Sequence, residues 1–186
     1  MSTLSFWIFP VSVAARVMLG LLFLRSATAK FRDSRDFAAI AANYRLLPDD
    51  LAVPASAMLL LAEAGTAILL LAAVGLPTML AIPAGALALV LLGSFVTAMA
   101  FTLHRGFAGI SCGCGDRSAP LSWHGVASTA LLLPMAVLAA LPLGTASVPI
   151  EIQAILAGSL LLVLHEAATL LLRPRPLAAA AGRKRG

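Results

Sequence analysis

The stretch Val53–Leu103 reads VPASAMLLLAEAGTAILLLAAVGLPTMLAIPAGALALVLLGSFVTAMAFTL, and its reading decides the fold. The runs from about Val53 to Gly75 and from about Thr78 to Leu103 are each long enough to cross a hydrocarbon core of roughly 30 Å, which takes about 20 helical residues. Lipid offers a free amide no water, so each run must satisfy its backbone internally, as an α-helix. The link Leu76-Pro77 is so short that the two helices form an antiparallel hairpin. Outward from this hairpin the same kind of block recurs, at about Pro10–Ala29, Gly125–Leu141 and Ile150–Leu172. The expected fold is therefore all-α, a polytopic transmembrane bundle of about five spans (four to five), with a second tight link from Leu143 to Val148. Pro83 and Pro134 lie inside these blocks and are expected to bend them.

Composition agrees. Of 186 residues 61% are hydrophobic and 11% charged, whereas about a quarter of a soluble domain is charged. A soluble reading of the same blocks needs several consecutive helices with no polar face. Residues 1–172 are expected to form a single transmembrane domain and residues 173–186 a basic, disordered tail held near anionic headgroups. No Lys or Arg precedes Arg16 and no small-residue cleavage site follows a short apolar region, so the first helix is expected to be retained.

The basic residues assign the two sides. Lys30, Arg32, Arg35 and Arg45 fall between the first two blocks, Arg105 and Arg117 between the third and fourth, and Arg173, Arg175, Arg183, Lys184 and Arg185 after the fifth. That puts eleven of thirteen on one side and none on the other, with Arg16 and Arg25 inside the first block. By the positive-inside rule the basic side and the C-terminus are cytoplasmic. The net charge of +5 thus reports topology and gives no reason to expect a nucleic-acid partner. Between the first two blocks, Phe37, Ile40, Ala41, Tyr44 and Leu47 keep a helical period behind Asp33 and Asp36, which predicts a short helix on the membrane surface.

Charges at membrane depth need partners or a function, since each costs about 3 kcal/mol on insertion scales. With the first helix centred near Leu19, Arg16 lies roughly 4.5 Å to the outer side and Arg25 roughly 9 Å to the inner side. Glu63 is near the middle of the second block, and His165 and Glu166 lie roughly 6 to 7.5 Å inward of Leu161 on the fifth. Depth therefore matches Arg16 with Glu63 and Arg25 with Glu166; the alternative is that Arg25 snorkels to the interface and Glu166 is protonated.

The chemistry concentrates in Ile110-Ser111-Cys112-Gly113-Cys114-Gly115-Asp116, which holds both cysteines of the chain. Cα atoms two apart in an extended chain are about 6.5 to 7 Å apart, at the edge of what a disulfide accepts. Gly113 and Gly115 allow the turn that closure needs, and so small a ring would be strained and easily reduced. Arg105, Arg117, His104 and His124 could lower the thiol pKa values. Two other readings stay open: metal binding by Cys112, Cys114, His104 and His124, whose spacing fits no standard zinc motif, and two unreactive small residues in a Gly-rich turn.

Several elements together resemble the MauE family of methylamine-utilisation membrane proteins, related to the DoxX-like group. They are Arg16–Gly20 leading into Phe23-Leu24-Arg25-Ser26-Ala27-Thr28-Ala29-Lys30-Phe31-Arg32-Asp33, then Tyr44-Arg45-Leu46-Leu47-Pro48, Glu63 with Gly65, and Cys112-Gly113-Cys114. The resemblance implies a multi-pass protein of the bacterial inner membrane. It implies a role in producing or maturing the disulfide-rich small subunit of periplasmic methylamine dehydrogenase, with a thioredoxin-like partner. Cys112 and Cys114 would be the catalytic pair. No cofactor is specified, and a membrane quinone is the candidate. The competing function classes are a non-catalytic assembly scaffold, a DoxX-like oxidoreductase subunit and a small transporter; a transporter would show paired broken helices or an internal repeat, and neither is apparent in the sequence.

Overall fold

The computed structural model describes residues 3–44, 46, 48–75, 78–106, 121–142 and 148–172. They form α1 (Thr3–Arg32), α2 (Ser34–Asn43), α3 (Asp49–Gly75), a single 3-10 turn (Thr78–Leu80), α4 (Ala81–His104), α5 (Trp123–Ala130), α6 (Leu133–Ala139) and α7 (Val148–Leu171). Among the described residues there is no strand. The chain is an all-α, multi-pass bundle, and α1, α3, α4 and α7 are each long and apolar enough to cross a membrane.

The fourth expected span is two short helices. Pro134, at the start of α6, has no amide hydrogen to give the carbonyl four residues earlier, and its ring crowds that carbonyl. The helix therefore stops at Ala130 and restarts at Leu133, with the Leu132 amide bonding Thr129 O at 3.1 Å across the break. Inside α5 the Ser128 and Thr129 hydroxyls both donate back to Gly125 O, a pattern that also bends helices. The pair still traverses the bundle. Ala140, just past α6, lies against Gly85 near the start of α4, while Val126 of α5 packs on Met99 further along it, so α5 and α6 run antiparallel to α4. Pro83, expected to bend a span, sits in the first turn of α4, where a missing amide hydrogen leaves no bond unmade.

The centre of the bundle is α1. Just over half (56%) of its most apolar window is buried, against 11% for α7, and it packs on α3, α6 and α7. Leu19 and Phe23 of α1 meet Leu70 of α3, Leu92 of α4 and Ala136 of α6 in one apolar cluster. Two glycines set the spacing. A Cβ at Gly158 would come within 2.5 Å of Ala14 O, and one at Gly85 within 2.5 Å of the Ala140 backbone, so α7 against α1 and α4 against the end of α6 approach as closely as backbones allow.

The surface helix predicted from periodicity is α2, which packs chiefly on α3 and buries none of its residues fully. Asp33 takes the N-cap position, where its carbonyl accepts from Phe37 N at 3.0 Å, but its side chain makes no capping bond. The expected basic tail, residues 173–186, lies outside the described residues.

Candidate functional site

Nothing between Ala27 and Arg32 stops a helix, so α1 runs on past the expected end of its span and carries Lys30 on its last turn. That turn faces α3. The Lys30 ammonium pairs with Glu63 Oε1, and both side chains are buried, at 5% and 0% exposure. Two rings complete the surroundings of Nζ, Phe37 of α2 at 4.8 Å and Phe95 of α4 at 5.1 Å from their centroids. Aromatic faces attract a cation, so Lys30 is held both by a carboxylate and by two quadrupoles. Glu63 is less well provided for, because its buried Oε2 has no hydrogen-bond partner among the described residues.

This pair corrects two expectations. Lys30, expected in the connection between the first two spans, is instead a buried side chain of α1. Glu63 does not meet Arg16. The physical reason is an overhang: Glu63 is near the midpoint of α3, but about 21 Å of that helix lies between it and Asp49, on the side where α1 ends two residues past Lys30. The middle of α3 is thus level with the C-terminal end of α1. The missing signal was present in the sequence as the unbroken helix-forming run Ala27-Thr28-Ala29-Lys30, which makes Lys30 part of the span.

Arg16, 4% exposed, satisfies its guanidinium on carbonyls instead. Nε donates to Ala139 O at 3.0 Å, Nη1 to Ala73 O at 2.9 Å and Nη2 to Leu141 O at 2.6 Å. Ala73 and Ala139 belong to the last turns of α3 and α6, whose carbonyls have no partner within the helix and form the negative end of its dipole. One cation therefore caps the C-terminal ends of two helices. From Arg16 to Lys30 is about 21 Å along α1, so the two buried cations mark two polar layers with the apolar cluster between them.

Arg25 and Glu166 are paired as depth matching expected, Nη1 to Oε2 at 2.7 Å between α1 and α7. The side chains are 61% and 33% exposed, so this pair sits on the flank of the bundle. His165 is half-buried beside it on α7.

Cys112 and Cys114, with Arg117, lie outside the described residues. What is described is where their loop leaves and re-enters the bundle. The exit is His104, Arg105 and Gly106, the last at a φ of 81° that a side chain disfavours. The return is Leu121, which packs with Met99, Val126 and Phe95, and then Ser122, whose hydroxyl accepts from Gly125 N and caps α5. Phe95 belongs to this cluster and to the Lys30 site, so Leu121 lies one side chain away from the buried pair. Thr102 Oγ1 and His124 Nε2, buried without partners among the described residues, lie near the facing ends of α4 and α5.

A bundle of apolar helices with charges buried at both ends defines a multi-pass integral membrane protein. The chain belongs to the MauE family: the model of the methylamine utilisation protein MauE matches residues 8–146, which takes in most of α1, all of α2 to α6 and both cysteines, and stops short of α7. It is 33% identical over 166 residues to the methylamine utilization protein MauE of Paracoccus denitrificans, covering 85% of each chain. It is 35% identical over 160 residues to the protein of the same name from Methylophilus methylotrophus, covering 86% of this chain and 80% of that one. No solved structure matches the chain.

Proposed function

We propose that the chain is a membrane thiol–disulfide redox protein that supports maturation of the disulfide-rich small subunit of methylamine dehydrogenase, within the methylamine utilisation that its family serves. The observation that carries this reading is Cys112-Gly113-Cys114, the chain's whole cysteine content, two residues apart with Gly113 between them and Gly115 after. In the exchange, a thiolate of a thioredoxin-like partner attacks one sulfur of the Cys112–Cys114 disulfide. A mixed disulfide forms and the other cysteine leaves as a thiolate. The partner's second thiol then resolves the mixed disulfide. Two electrons and two protons end on Cys112 and Cys114, and the partner is left oxidised. In the reverse sequence the Cys112 and Cys114 dithiol reduces a client disulfide and returns to the disulfide, with a membrane quinone as the alternative acceptor of its two electrons and two protons. The basic residues around the loop favour the cytoplasmic side. This makes a cytoplasmic thioredoxin-like protein the direct partner and the periplasmic subunit an indirect client.

Cys112→Ser and Cys114→Ser should each abolish maturation of the subunit while the chain still reaches the membrane in normal amount. Alkylation of thiols in intact cells should capture both the dithiol and the disulfide in the wild type. Full maturation with both single variants would sink the redox role and leave the assembly scaffold as the better account.

A further inference from the structure

The ion pair between α1 and α7 lies at a level where lipid cannot serve it. Arg25 is seven residues before the end of its span at Arg32, and Glu166 five before the end of its own at Leu171, about 10.5 and 7.5 Å of helix respectively. Both groups are therefore level with hydrocarbon. Their side chains are nevertheless 61% and 33% exposed. Charges at that level ordinarily face the interior of a bundle or a neighbouring chain, since acyl tails offer them no hydrogen bond. Among the described residues the contact of the pair runs from Arg25 Nη1 to Glu166 Oε2, so Arg25 Nη2 and Glu166 Oε1 remain for a neighbour.

The helix that carries Glu166 is also the most peripheral of the spans. It packs on the bundle chiefly through α1, and 11% of its most apolar window is buried, against 28% for α3 and for α4. The stripe through Glu166 is Ile152, Leu156, Ser159, Val163 and Leu170, at alternate steps of four and three residues, the spacing of a seam between two helices. Ile152, Leu156, Val163 and Leu170 are each more than half exposed. The apolar part of this stripe suits lipid as well as protein. The charged pair beside it suits protein alone.

We propose that this flank binds a second copy of the chain, in a two-fold dimer whose axis runs along the membrane normal beside α7. Such an axis sets residues of equal depth opposite one another. Arg25 and Glu166 share one level, so Arg25 of each copy meets the partner's Glu166, and two guanidinium groups and two carboxylates close into a neutral ring. The surface is its own complement, because it holds the cation and the anion side by side. An unrelated helix would have to bring the same two charges in the opposite order. The dimer rests on α1 and α7 and is independent of the exchange proposed for Cys112 and Cys114.

Association of the full-length protein in phosphatidylcholine liposomes tests it, read by energy transfer between copies fused to donor and acceptor fluorophores. Transfer in the wild type should exceed the level of random encounters and fall linearly as acceptor copies are replaced by unlabelled ones, as it does for a dimer. Arg25→Glu and Glu166→Arg each put four like charges at the seam and should each weaken association about tenfold or more. Mixing the two variants should restore it, because opposite charges then face each other across the seam. Glu166→Gln, which removes the charge and keeps the shape, should weaken association severalfold and serves if the reversed chains do not fold. Wild type at the random level, Glu166→Gln associating as tightly as wild type, or folded reversed chains whose mixture stays apart would each overturn the dimer. In whole cells, a photoreactive benzoylphenylalanine in place of Val163 should yield an adduct of twice the chain's mass. Adducts with another protein or with lipid alone would give the flank to that occupant and overturn the second copy.

Discussion

Arg16 and Lys30 are both buried cations of α1, and each is satisfied according to its shape. The guanidinium is a planar fork of five donors and reaches three carbonyls on two helices and the turn beyond. The ammonium is a compact charge and takes one carboxylate between two rings. Arg16→Lys cannot span three acceptors and strands at least one, so the thermal midpoint in detergent should fall by the equivalent of about 1–3 kcal/mol. Lys30→Met and Glu63→Met should each cost about 3–5 kcal/mol by leaving an unpaired charge or an emptied cation site, and the double change should cost clearly less than the sum. Arg16→Lys combined with Glu63→Met should instead be additive to within about 0.5 kcal/mol, because the two do not share a partner. Strong coupling of Arg16 to Glu63 would reinstate the pairing that depth alone suggests. Depth matching succeeded for Arg25 and Glu166 because α1 and α7 run parallel and in contact, so equal rise means equal level. It failed for Glu63 because nothing in hydropathy says how far α3 overhangs its neighbours.

At the level of elements, long apolar runs and the amphipathic period of α2 were legible, since both follow from side-chain pattern alone. The break in the fourth span was half-legible: Pro134 was visible, but whether a proline bends a helix or ends it depends on what packs there. Here Ala136 and Ala139 of α6 are fully buried against the bundle and hold the restarted helix in line. The close seams between helices were not legible, because a glycine in a membrane helix has no pattern that distinguishes contact from open space. Gly158 and Gly65 separate the cases. A Cβ at Gly158 would strike the backbone of α1, whereas one at Gly65 would meet nothing within 4 Å. Gly158→Val should therefore lift α7 away from α1 and lower the thermal midpoint by several degrees, the equivalent of about 1–3 kcal/mol. Gly65→Val should leave it within about 0.5 kcal/mol of wild type. Equal tolerance of both would mean that α7 does not sit on α1 at this distance.

For the molecule as a whole, α1, α4 and α7 run inward and α3 and the α5–α6 pair outward, if the basic side is taken as the inner one. Reporter fusions after Arg117 and after Arg173 should then both give a cytoplasmic signal, because two crossings separate them. Opposite signals would show that the broken α5–α6 pair does not traverse the membrane. The arrangement of Arg16 bears on how such a chain is made. Two of its acceptors are 123 and 125 residues further along the chain and the third is 57. When the first helix leaves the ribosome, none of these carbonyls has yet been synthesised. Its guanidinium has to stay hydrated at the outer surface, or borrow a lipid phosphate, until the segment ending at Leu141 has been translocated. Only then can the first span settle to its final depth, so the earliest helix to be inserted is among the last to be seated.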